Sequence, residues 1–356
     1  MIPLSIPCAL MRGGTSRGPV FLASDLPSDI AERNAALIAA MGSGHELQVD
    51  GLGGGNPLTS KVAIVGPATK PGADVDYLFA QVKVSERSVD TSPNCGNMLA
   101  TVGPFAIERG LVAASNGVTL VRIHNVNTGK IIEARIDTPG GKVRYDGETH
   151  IDGVPGTAAP IRLAFLNAAG AKTGKLLPSG QAGEAIDGIP VSLIDAAMPL
   201  VIIDAAAMGK TGHEAPAELD ADQRFMRWLE VIRREAGRRM GLGDVSRLVI
   251  PKPVLIAPAR NGGTFSARYF MPHACHKALA VTGAVGLATA AATPGTLAAA
   301  LVASPGPLRR VVIEHPSGRL ELAIDDGADG TPVVSVIRTA RLILDGALHL
   351  PPQIAA

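Results

Sequence analysis

The sequence predicts an α+β fold in which strands dominate and a few helices are embedded among them. Three observations carry this expectation. Short β-branched stretches bounded by Gly/Pro turns recur at 62–65, 75–84, 118–123, 131–136, 142–145, 189–194, 200–203, 254–256, 265–270, 311–314, 320–324 and 333–337. Only four segments, 30–41, 96–109, 220–240 and 282–292, carry a helical pattern. The length of 356 residues exceeds what one ordinary core holds, so two domains are expected.

Each helix has a local reason. Segment 30–41 follows Ser28 and Asp29, either of which can cap it, and 96–109 starts beside Cys95. Segment 220–240 is long, charged and amphipathic, and its Arg224, Arg227, Arg233, Arg234, Arg238 and Arg239 read as a solvated face. Segment 282–292 is apolar nearly all round. The second and fourth helices repeat one plan, a strand (77–82, 265–270), a polar turn (through 94–97, through 271–276) and an apolar helix. That repetition predicts an internal duplication. Two such helix N-termini facing one another would line a cleft with free N–H groups, which suits an anionic ligand.

Composition narrows the partners. The chain is 46% apolar but only 3% aromatic, so Val, Ile, Leu and Ala must build the core. A formal net charge of +1 gives no electrostatic reason for a nucleic-acid or acidic-membrane partner. Cys8, Cys95 and Cys275 are odd in number and far apart, and Met1-Ile2-Pro3-Leu4 opens without a basic segment and apolar run; a reduced, cytoplasmic protein is expected. No apolar run reaches the roughly 18–20 residues of a membrane span.

The candidate site centres on Asn94-Cys95-Gly96-Asn97, at the head of the apolar run 98–106. A thiol where a turn hands over to a helix faces unpaired backbone N–H groups, and the helix dipole favours its thiolate. Asn94 and Asn97 can cap or bind ligand oxygens, and Gly96 leaves the backbone open to a substrate. Met11-Arg12-Gly13-Gly14-Thr15-Ser16-Arg17-Gly18 has the composition of an anion-binding loop, yet it lacks the Gly-Lys-Ser/Thr ending of a nucleotide loop and leads into a strand. Gly51, Gly53, Gly54 and Gly55 fail the dinucleotide pattern for the same reason. Both stretches read as tight loops in or near the site. Ser60 and Lys61 close the second loop, and a lysine at the mouth of an apolar strand can be desolvated enough to serve as a general base. His273, Cys275 and His276 are too crowded on one turn, without a second cluster, to suggest zinc.

Residues 11–18, Leu58-Thr59-Ser60-Lys61-Val62-Ala63, Asn94-Cys95-Gly96-Asn97 with Gly103-Pro104-Phe105-Ala106, and Ile337-Arg338-Thr339-Ala340-Arg341 together resemble the PrpF family of isomerases, over nearly the whole chain. Within it, 74–82, 108–113, 151–156, 242–246, 260–264 and 272–276 look closest to the 4-oxalomesaconate tautomerases of gallate and related aromatic-acid breakdown. The resemblance implies a diaminopimelate-epimerase-like fold: two similar domains, each a curved, mostly antiparallel sheet or barrel around a central helix. It places the first domain at 1–148 plus 336–356, the second at 149–335, and a cofactor-independent site in the cleft between them. In the epimerases a cysteine from each half serves as acid or base; here the second position falls near Ala280, and Cys275 lies several residues early. A lysine matching Lys61 paired with the cysteine matching Cys95 is the arrangement of PrpF-like enzymes, and it counts against amino-acid epimerisation.

The implied chemistry is an allylic proton shift on an unsaturated tricarboxylate. Lys61 would take the proton and Cys95 return one at the far carbon, with the roles open to exchange. Backbone and side-chain donors at Arg12, Gly14, Thr15, Ser16, Arg17, Ser60, Asn94, Gly96, Asn97, Arg268, His273, Thr282 and Gly283 would hold the carboxylates and the dienolate. No metal or organic cofactor is expected, and a homodimer is left open. Aconitate or methylaconitate isomerisation needs the same shift. A non-catalytic polycarboxylate binder would need neither Lys61 nor Cys95.

Overall fold

The computed structural model describes residues 5–166, 168–271, 273–303, 308–326 and 332–351. Residues 1–4 and 352–356, and Pro272 of the 272–276 stretch, lie outside them. The chain divides into two compact units, 1–163 with 337–356, and 164–336.

The first unit holds β1 (Ser5–Gly13), β2 (Ser16–Leu22), α1 (Ile30–Met41), β3 (Lys61–Pro67), β4 (Val75–Val82), β5 (Val89–Asp90), α2 (Gly96–Glu108), β6 (Gly117–Asn125) and β7 (Lys130–Thr138). It also takes in the start of β8 (Pro160–Phe165). The strand path β1-β2-β3-β4-β6-β7-β8 continues to the last strand of the chain (Pro332–His349), which pairs back onto β1. Eight strands thus close into a barrel, and closure leaves few edge groups unpaired. Nine consecutive residues of α2, Met98 to Ala106, are buried, so this helix has no solvent face. Alternation separates a second layer. Val62, Ile64, Ala80 and Val82 pack with Leu37, Ala40 and Met41 of α1, whereas Ala63 and Val65 point to the opposite face of β3.

The second unit continues with β9 (Glu184–Ile186), β10 (Ile189–Ala196), β11 (Met198–Asp204), α3 (Pro216–Ala221), α4 (Gln223–Arg239), β12 (Lys252–Pro258), β13 (Phe265–Tyr269), α5 (Val281–Ala291), α6 (Leu297–Ala300), β14 (Arg310–His315), β15 (Gly318–Asp326) and β16 (Pro332–His349). From 337 onward β16 belongs to the first unit. One order of pairing occurs twice: β1–β2 antiparallel, β2–β3 parallel, β3–β4 antiparallel, β4–β6 parallel, β6–β7 antiparallel. The same five types run through β10–β11, β11–β12, β12–β13, β13–β14 and β14–β15. Val254 and Ile256 of β12 pack with α5, and Leu255 and Ala257 pack with α4.

Four expectations are corrected. Segment 142–145 is not a strand: Gly140 and Gly141 adopt positive φ (64° and 77°) and turn the chain, which makes isolated bonds in place of a ladder, Lys142 N–H to Pro139 O, Arg144 N–H to Asp137 O and Ala159 N–H to Tyr145 O. The helix at 220–240 is broken at Asp222, whose carboxylate accepts the Phe225 N–H and caps α4; a short polar side chain favours a cap over a helix interior. Arg233 is not on a solvated face. It is fully buried, bidentate on Glu230, and donates to the carbonyls of Val245, Leu248 and Ile250. Finally, most of 11–18 is strand, with only Gly14 and Thr15 forming the turn between β1 and β2. Among the described residues no helix is long and apolar enough to cross a membrane.

Candidate active site

Lys61 is the first residue of β3, and its position follows from a close approach between backbones. A Cβ on Gly18 would fall 1.7 Å from the Lys61 carbonyl oxygen, so a glycine there lets β2 and β3 come together. The amine lies 5.6 Å above the Phe79 ring and donates to Cys95 Sγ at 3.4 Å. Cys95 is the N-cap of α2, with extended φ/ψ (−133°, 101°) and 6% exposure. Its carbonyl receives the Leu99 N–H at 3.0 Å and the Tyr77 hydroxyl at 3.2 Å, which fixes the thiol's backbone from two sides.

Asn97, in the first turn of α2, is held at both ends of its amide. Nδ2 donates to Thr15 Oγ1 at 2.9 Å, and Oδ1 accepts from Arg338 Nε at 3.0 Å. Gly14 lies against it, with φ 51° and a virtual Cβ only 2.2 Å from Asn97 Oδ1, so only glycine fits that turn position. Arg12 spends its guanidinium on Gly14 O, Thr339 O and Thr339 Oγ1, tying the turn to β16.

Other expected site residues are engaged locally. The Ser60 hydroxyl accepts from Gln48 Nε2 and donates to Val82 O. Asn94 Oδ1 accepts from Asn125 Nδ2 at 2.7 Å. Arg17 donates to Leu52 O at 3.4 Å and lies beside Gly54 of the glycine loop. Among the described residues Ser16 Oγ is buried with no hydrogen-bond partner. Gly96 opens α2. In the second unit, Arg268 donates to Glu214 O, Ser266 Oγ and Ala267 O; His273 is exposed; Thr282 and Gly283 form the first turn of α5.

Arg338 was not among the expected site residues. It sits on β16, donates its Nη1 to Ile337 O, and among the described residues has no carboxylate partner. Burial pushes its pKa down to about 10, partly offset by the Cys95 charge, so it stays protonated at neutral pH. The Ile337-to-Arg341 motif was visible in the sequence, but nothing local marked Arg338 as turning towards Asn97. Among the described residues no group of three His, Cys, Asp or Glu is placed to hold a metal ion.

An amine in hydrogen-bond contact with a thiol, at the head of a buried helix, is an arrangement that can exchange protons. Residues 3–351 match the PrpF protein family. YbhH of Escherichia coli (strain K12), provisionally named an isomerase, is 58% identical over 97% of this chain and 99% of its own. A (4E)-oxalomesaconate Delta-isomerase of Novosphingobium sp. (strain KA1) is 49% identical over 97% and 98%. The crystal structure of a methylitaconate-delta-isomerase matches with a TM-score of 0.88 at 34% identity, covering 99% of this chain and 97% of that one. The chain belongs to the PrpF family and is an isomerase.

Proposed function

We propose that the enzyme moves a carbon–carbon double bond of an unsaturated polycarboxylate by an allylic 1,3-proton shift, with 4-oxalomesaconate from aromatic-acid degradation as its substrate. The observation that carries this is the 3.4 Å contact between Lys61 Nζ and Cys95 Sγ. Neutral Lys61 removes the allylic proton and becomes an ammonium. The electrons delocalise into a dienolate, and the Cys95 thiol gives a proton to the far carbon, leaving a thiolate. The ammonium then passes its proton to the thiolate across their shared hydrogen bond, which restores both groups without any other reactant.

The substrate class is supported by the Novosphingobium relative and by the charge around the thiol. Arg338 offers a protonated guanidinium to a carboxylate, and Ser16 offers a free hydroxyl. The two-domain, epimerase-like arrangement with a helix at the centre of each sheet is part of the same proposal, as is a cytoplasmic, cofactor-independent enzyme. Incubation of purified protein with 4-oxalomesaconate and, separately, trans-aconitate, followed by ultraviolet absorbance and proton NMR, tests it. Migration of the double bond in 4-oxalomesaconate is expected; turnover confined to trans-aconitate would reassign the substrate.

Arg338→Met should raise KM about 10–100-fold, the worth of a charge-assisted hydrogen bond, with a smaller change in kcat. Arg338→Lys should recover part of the loss, because charge returns without the planar fork. A loss confined to kcat would show that Arg338 acts on the transition state and not on binding.

A further inference from the structure

The glycine-rich stretch before β3 folds around one polar side chain. Gln48 lies on the loop between α1 and β3 and is 1% exposed, although its neighbours Leu47 and Val49 are 66% and 78% exposed. Its φ is 49°, in the left-handed region that residues other than glycine seldom adopt. The backbone holds it there: Gln48 N–H donates to His45 O at 3.0 Å, and Gln48 O accepts from Gly51 N–H at 3.2 Å. A loop folded for apolar burial alone would turn Leu47 or Val49 inward and leave the amide in water. The chain does the reverse, on a strained backbone, which is a pattern found at functional sites.

The partners of the amide fix what it does. Oε1 accepts from Gly55 N–H at 3.1 Å, so Nε2 is the end that faces Ser60, and it donates to the Ser60 hydroxyl at 2.7 Å. The hydroxyl in turn donates to Val82 O on β4 at 2.8 Å. All three bonds run one way, from the Gly55 N–H through Gln48 and Ser60 to Val82. Gly53 gives the amide its room, because a Cβ there would fall 2.3 Å from Gln48 Cδ and Oε1.

Ser60 is the residue before Lys61, and its carbonyl is held as firmly as its hydroxyl. Gln81, the partner of Lys61 in the β3–β4 ladder, donates Nε2 to Ser60 O at 2.8 Å and to Pro57 O at 3.1 Å. Val82 N–H also donates to Ser60 O, at 3.2 Å. The Ser60–Lys61 peptide therefore enters β3 in one place. A lysine side chain is long and flexible, so the 3.4 Å contact of its amine with Cys95 Sγ depends on where its root stands.

We propose that Gln48 is a positioning residue for Lys61, which sets through Ser60 the place from which the amine reaches Cys95. The proposal rests on Lys61 as the base of the proposed reaction. Gln48 itself takes no part in the proton transfers.

The test is a double-mutant cycle on the full-length enzyme, with kcat and KM measured on the acid that the wild-type protein isomerises, 4-oxalomesaconate or trans-aconitate. Gln48→Gly removes the amide and leaves a residue that accepts φ 49° without strain. It should lower kcat about 10–100-fold, the effect of a small misplacement of a catalytic group, with KM little changed. In the Lys61→Met background the same substitution should change kcat by less than about 2-fold, because no amine is left to misplace. An equal loss in both backgrounds, or no loss in the wild-type background, overturns the proposal. Ser60→Ala breaks the same chain of bonds by deleting one hydroxyl and should show the same non-additive loss, about 10-fold, so it decides even if Gln48→Gly fails to fold. The two readings fail separately. Normal turnover in Lys61→Met removes the base, and the task of Gln48 with it; a slow Lys61→Met beside normal Gln48→Gly and Ser60→Ala enzymes removes the positioning alone.

Discussion

Lys61→Met should lower turnover roughly 10²–10⁴-fold while the fold persists, because the substitution keeps the stem and removes only the amine that would accept the proton in the proposed reaction. The side chain is half-buried over Phe79, so an apolar replacement leaves no buried charge unpaired. The decisive comparison is Lys61→Arg. Arginine keeps the charge but cannot act as a base near neutral pH, so this variant binds substrate and remains inactive. Wild-type enzyme in D₂O incorporates deuterium at the allylic carbon, and neither lysine variant does. Near-normal turnover and exchange in Lys61→Arg would remove Lys61 from the chemistry and leave Cys95 or a bound water as the proton carrier.

Cys95→Ala should cost a loss in kcat of similar size, roughly 10²–10⁴-fold, since it would remove the acid of the proposed reaction and the acceptor for its reset step. Alkylation gives an independent reading. Burial raises the pKa of both other thiols, pushing Cys275 to about 12 and Cys8 upward as well, so at neutral pH both react slowly. Limited iodoacetamide treatment with peptide mapping should therefore show inactivation in step with modification of Cys95, slowed by substrate. Inactivation that tracks Cys275 would move the acid to the second unit and refute the lysine–thiol pair.

The sequence by itself determined those features that one segment can encode. Short β-branched stretches with Gly/Pro boundaries specified most strands, and the apolar run after Cys95 specified a helix with no wet face, which is what α2 is. It also marked Lys61 at the start of a strand and Cys95 at the start of a helix, both correctly placed. The charges along 220–240 could not show that Arg233 turns inward, because the three carbonyls that receive it come from 245–250, beyond the helix. Nor could composition distinguish an anion loop from a hairpin at 11–18, where the pairing of Arg12 with Arg17 and of Gly13 with Ser16 decided.

Only the tertiary structure decided which of these residues meet. Lys61 and Cys95 are 34 positions apart, and Arg338 and Asn97 are 241 apart. Their contacts depend on ladder registers between distant strands, above all the parallel approach of β2 and β3 at Gly18 and the return of β16 onto β1. Side-chain alternation along a strand tells which face a residue takes, but the partner across that face is chosen by register. Register is set by packing and backbone pairing summed over the whole barrel, a quantity that no single stretch of sequence contains.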